Sequence, residues 1–136
     1  MKNRRTFIKK AAAGVALAGL LTVTENASAG EVKITGALIH HVFFWLKEPK
    51  NEAHKKLLVK ALNNLLKVET IKMSHIGFPA GTESRDVVDH SYSVSYMVMF
   101  DNQADQDTYQ VHPLHLKFVD ENSHLWSKVV VYDSVD

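Results

Sequence analysis

Ten residues, Ala37 to Leu46, constrain most of what this chain can fold into. In an extended segment side chains point alternately to opposite faces. Leu38, His40, Val42, Phe44 and Leu46 share one face, and Ile39, His41, Phe43 and Trp45 share the other. A strand half-buried against a single layer alternates apolar with polar residues. This one is largely apolar on both faces, so both faces of its sheet call for cover. One layer of helices supplies one cover. In a domain this small the other has to come from a second subunit.

The first 29 residues read as an export signal. Asn3-Arg4-Arg5-Thr6-Phe7-Ile8-Lys9 resembles the twin-arginine motif, and an Ala/Gly-rich apolar stretch runs from Ala11 to Val23. That stretch is short of the roughly 20 residues a membrane span needs. Ala27-Ser28-Ala29 has the small residues of a cleavage site. The expectation is a periplasmic domain of residues 30–136 with no stable membrane span once the signal is removed. Its removal takes away five of 16 basic residues and one of 15 acidic ones, leaving 11 against 14. The domain is then mildly acidic, with Arg85 as its one arginine, a composition that argues against nucleic acid. No cysteine is present, which excludes disulfides, thiol nucleophiles and thiolate metal sites.

The remaining pattern is free of internal repeats. Asn51 to Lys67 reads as an amphipathic helix, with Leu58, Ala61, Leu62, Leu65 and Leu66 at helical spacing. Lys55, Lys56 and Lys60 form its solvated side. Glu69 to Phe78 reads as a second strand, and a polar loop extends through Asp89. Ser91 to Phe100 alternates clearly: Tyr92, Val94, Tyr96, Val98 and Phe100 line one face, and serines and methionines the other. A broken helix follows from Asp101-Asn102, and Lys128 to Asp133 forms the last strand. Strand, helix, two strands, helix, strand is the ferredoxin-like order.

The break in the second helix is Tyr109-Gln110-Val111-His112-Pro113-Leu114-His115. Pro113 lacks an N–H and biases His112 away from helical dihedrals. It suits the first position of a new helix, which places His115 in that helix's first turn. The positive end of the helix dipole disfavours imidazolium there. A neutral imidazole beside the Tyr109 phenol suits general base or acceptor chemistry. An ordinary hydrogen-bonded helix corner is the competing reading.

At this point the chain resembles the stress-responsive dimeric alpha/beta barrel (Dabb) family. The resemblance rests on Ile39 to Lys47, Phe100-Asp101, the Tyr109 to His115 run and Val129 to Asp133, and spans roughly Ala37 to Val135. It implies an α+β fold: a ferredoxin-like βαββαβ monomer with a four-stranded antiparallel sheet, two copies pairing into a dimeric α/β barrel. A plant cyclase of the family closes a linear polyketide by an aldol reaction without a cofactor. By that likeness His115 is the base, Tyr109 the hydrogen-bond donor and His40 an orienting group. His112 matches a further motif histidine. The likeness also points to Tyr96, Val94, Phe44 and His112 as ligand-contacting positions. Val94 stands where that cyclase has a pocket histidine, and Tyr96 where a small residue admits an alkyl tail, so the pocket is expected to be narrower.

Three functions remain open: a homodimer binding a small hydrophobic or aromatic ligand, a cofactor-independent cyclase or lyase using His115 and Tyr109, and a metal or haem protein. His112 and His115 stand three apart, but Pro113 splays them and no zinc-motif spacing is present. The expectation is therefore no metal and no cofactor. His75 shares a face with Ile71 and Met73 and reads as a core or interface histidine, and Trp45 and Trp126 as anchors.

Overall fold

β1 covers Leu38–Leu46 and is central, because its residues are apolar on both sides and it pairs antiparallel with two neighbours. In the computed structural model, which describes residue 30 and residues 32–136, the fold is that of the unit Ile34–Asp136. The twin-arginine-like leader lies outside the described residues. The other elements are α1 (Glu52–Leu65), β2 (Met73–Gly77), β3 (Val94–Phe100), α2 (Gln103–Gln110), α3 (Pro113–Asn122) and β4 (Trp126–Val135). The sheet order is β2-β3-β1-β4, all antiparallel. This is the expected ferredoxin-like arrangement. Among the described residues no helix is long and apolar enough to cross a membrane.

Local chemistry fixes the helix limits. Asn51 caps α1 by accepting from the His54 N–H, and Asn102 caps α2 through the Asp105 N–H. α2 ends at Gln110, and α3 begins on Pro113. Leu58, Leu62 and Leu65 of α1 are at most 1% exposed and meet Val94, Tyr96, Val98 and Phe100 of β3 in one core. At the domain's two ends, the Gly36 N–H donates to Asp136 Oδ1 at 2.8 Å. Gly36 has φ +69°, a conformation that favours glycine.

Two expectations need correction. Tyr92 does not share the helix-facing side of β3. The ladder stops at the Val94–Phe44 pair, and Leu46 N–H donates to the Ser93 hydroxyl instead of a main-chain carbonyl. Alternation ends there, and the Tyr92 ring packs edge-on to Phe43, on the opposite side of the sheet, at 4.9 Å. The second strand is also shorter than its apolar pattern implied. Turn bonds from Val68 N–H to Leu65 and from Ile71 N–H to Val68 hold the chain out of the ladder until Met73.

Candidate functional site

His40 is a buried polar residue on the helix-facing side, 6% exposed. The antiparallel register puts it opposite Asp133 of β4, and its Nδ1 lies 2.6 Å from Asp133 Oδ1. Asp133 itself is half exposed, so the pair runs from interior to surface. When Nδ1 carries the proton it donates to this carboxylate, and Nε2 is left as an acceptor. The Tyr109 ring stands 5.8 Å from the His40 ring, and the His115 ring stands 4.8 Å from Tyr109. The break at Pro113 makes this possible. It ends one helix just after Tyr109 and starts another that turns His115 back toward it.

Beneath them the Tyr109 and Tyr96 hydroxyls share a hydrogen bond of 3.3 Å. The two phenols carry two protons and this bond uses one, so one O–H remains to donate. Burial pushes the Tyr109 phenol up to about 12, opposed by the Tyr96 hydroxyl. Burial, then the charge of Tyr109, pushes Tyr96 higher still. Both are neutral donors at physiological pH. Burial lowers the His115 pKa, and nearby His40 adds to the effect. The Gln110 main-chain carbonyl opposes the shift. Even so, His115 Nδ1 is buried without a hydrogen bond of good geometry. The imidazole is neutral at pH 7, with an unused nitrogen.

These groups surround a cavity of about 310 Å³ between the helices and the sheet. His40, Tyr96, Tyr109, His115 and Phe44 line it, joined by Phe118 and Trp126. The last two stack at 5.6 Å, and Trp126 stands 5.0 Å from Phe44. Val129 and Val131 also line it and are each 42% exposed, which marks the open side along β4.

Four of the seven residues singled out from sequence thus meet around the cavity as polar groups, and Phe44 adds an apolar wall. The other two lie elsewhere. Val94 is fully buried in the core and does not line the cavity. His112 caps α3, its Nδ1 accepting from the Leu114 N–H at 3.1 Å, and its Nε2 lies 3.3 Å from Glu69. It does not line the cavity either. Sequence reasoning missed the Asp133 partner and the walls formed by Val129, Val131 and Trp126. Alternation along β4 carries that signal, because Val129, Val131 and Asp133 share one face. Among the described residues no group of three His, Cys, Asp or Glu side chains is placed to hold a metal.

The model of the stress-responsive A/B barrel domain matches residues 38–136. The chain belongs to this family. Solved structures of similar fold include a Dabb-family protein from Mesorhizobium loti, 23% identical, with a TM-score of 0.62. The match covers 75% of this chain and 98% of that one. The hydroxynitrile lyase of Passiflora edulis is 21% identical at a TM-score of 0.63, over 76% of this chain and 95% of that enzyme. A dimeric ferredoxin-like protein of unknown function from Thermobifida fusca is 15% identical at 0.62, over 78% and 96%. At these identities the likeness establishes the fold. No curated protein matches the sequence. Within the Dabb fold, the cavity of this member lies between the helix layer and the sheet.

Proposed function

We propose that this chain is an exported, homodimeric Dabb protein that binds a small hydrophobic or aromatic ligand in the Tyr/His-lined cavity. The cavity itself carries the reading. Ligand pockets are mostly apolar, of roughly 300–1,000 Å³, with a few convergent polar groups. Here a volume of about 310 Å³ has aromatic walls and four such groups, His40, Tyr96, Tyr109 and His115. The free phenol proton suits an oxygen on the ligand, and the neutral His115 suits a donor on it. Dimerisation is supported by the half-buried His41, Phe43 and Trp45, which no helix covers among the described residues, and by dimeric neighbours of the same fold. Export to the periplasm is supported by the leader's sequence.

A second reading is cofactor-independent lyase or cyclase chemistry, favoured by the unpartnered His115 Nδ1 beside Tyr109. His115 would take a proton from an acidic C–H or O–H. Tyr109 or Tyr96 would donate to the oxygen that gains negative charge. His40, held by Asp133, would orient the ligand.

The test is recovery of the protein from its native host followed by mass spectrometry of released small molecules, beside His115→Gln and Tyr109→Phe. The expected result is one enriched hydrophobic compound that is lost from both variants while their thermal unfolding stays cooperative. A folded wild-type protein with no co-purified compound, and no affinity for small aromatic or aliphatic carbonyl compounds, contradicts the proposal. Turnover of a released compound, abolished by His115→Gln, favours the second reading.

A further inference from the structure

The other face of the sheet, over which no helix lies among the described residues, holds a second cluster, unrelated to the cavity. His41 on β1 and His75 on β2 both stand directly opposite Met97 of β3. Directly paired residues share a face, so the three form a row, His75–Met97–His41. Adjacent strands are about 4.8 Å apart, so the two histidine Cα atoms stand on the order of 10 Å apart across Met97. The His41 ring rests on Phe43 and the His75 ring over Gly77, so ligation would turn both inward over the thioether.

These histidines lack the polar partners that four of the others have. His40, His54 and His112 each reach a carboxylate, on Asp133, Glu48 and Glu69 respectively. His90 reaches the Thr82 hydroxyl. Among the described residues, His41 and His75 have neither a hydrogen bond nor an ion pair. His41 packs on the Phe43 ring at 4.3 Å. The His75 ring lies over Gly77, where a Cβ would stand 2.7 Å from its Cε1. The missing side chain at Gly77 therefore gives the ring its place. His75 is exposed and His41 half-buried, so both imidazoles can take a ligand from solvent on a surface without carboxylates.

We propose that His41, His75 and Met97 bind one soft monovalent metal ion of the Cu(I) type. Thioether sulfur selects soft ions, and imidazole is compatible with copper. The set lacks the fourth ligand of a structural zinc site and the oxygen ligands that calcium or magnesium requires. It holds no group that would neutralise a divalent charge. The face is also the one a second copy would cover, which would shield the ion from water and oxidants.

Ag(I), a redox-inert stand-in for Cu(I), tests the proposal by calorimetric titration of the full-length protein in chloride-free buffer. The expected result is one Ag(I) per chain, weakened at least about ten-fold by Met97→Leu and by His75→Phe. His54→Gln should leave the affinity unchanged. Nuclear magnetic resonance of the wild-type protein should show the Met97 methyl signal shifting on Ag(I) addition, a readout that needs no variant to fold. Absence of binding, an unshifted Met97 methyl, or affinity unaffected by Met97→Leu overturns the proposal. Zn(II) binding as tight as Ag(I) overturns the choice of a soft ion.

Discussion

Along β1, Val42, Phe44 and Leu46 are 6%, 3% and 2% exposed, whereas His41, Phe43 and Trp45 between them are only half-buried. The two sets are similar in apolar character, so composition does not explain the difference. The helix-facing set lies under α1, α2 and α3 and shares their core. Among the described residues no helix lies over the other set. Burial here is decided by what the chain can lay over a surface. A strand apolar on both sides therefore reports a missing layer as well as a present one. The polar groups divide in the same way. Beneath the helices His40 pairs with Asp133 and Tyr109 with Tyr96, whereas His41 and His75 on the other face have no such partner among the described residues.

The largest expected effect contrasts two adjacent phenylalanines. Phe44→Ala should cost about 3–5 kcal/mol, the usual range for emptying a packed aromatic site. Phe43→Ala should cost the subunit much less, because its ring is only partly buried. Urea unfolding at matched protein concentration measures both, and equal losses would erase the distinction between the faces. Next comes association. Phe43→Asp combined with Trp45→Asp should convert a dimer into a monomer in sedimentation velocity, while the helix-facing core stays folded. A wild-type protein that sediments as one subunit at every concentration would break the reading of the open face.

A smaller effect sharpens the engaged side. Tyr109→Phe strands the buried Tyr96 hydroxyl and should cost about 1–3 kcal/mol. The double change with Tyr96→Phe should recover part of that loss, as a double-mutant cycle would show. The smallest effect is pH dependence. Burial lowers the folded-state pKa of His115 from 6.5, so as pH falls the unfolded chain takes up that proton first. Its contribution to stability is full above about 6.5 and declines below it, until the folded imidazole also protonates. His41, lowered by burial and by His75, adds a loss of the same sign. Chemical denaturation at stepped pH should show the decline, and His115→Phe should make it shallower. An identical slope in that variant would mean the imidazole is not held neutral by its surroundings.

Much of this was legible from the residues. The apolar β1, the alternation of Val94 to Phe100 and the stop at Pro113 each follow from one local rule, and each rule agrees with its neighbours. Agreement on the face of His40, Tyr109 and His115 follows from period-two and helical spacing together. The misreadings have a common physical origin. Tyr92 continues an alternating pattern, but the ladder ends where Ser93 offers its hydroxyl to Leu46. Glu69 to Ile71 reads as the start of a strand, yet turn bonds claim the Val68 and Ile71 N–H groups first. The His40–Asp133 pair joins residues 93 positions apart and becomes visible only once the β1–β4 register is known. Side-chain capture of backbone groups and long-range register are the two things local patterns do not encode.

The contact between Gly36 and Asp136 brings the opening and the close of the domain to within a single hydrogen bond. The unit Ile34–Asp136 is therefore almost a closed ring. Joining these two points with a short linker and cutting the chain instead in the exposed Gly81–Asp86 loop should yield a circular permutant with the same sheet. Such a rearranged protein would carry its new ends in the exposed loop without touching either the pocket or the other side of the sheet.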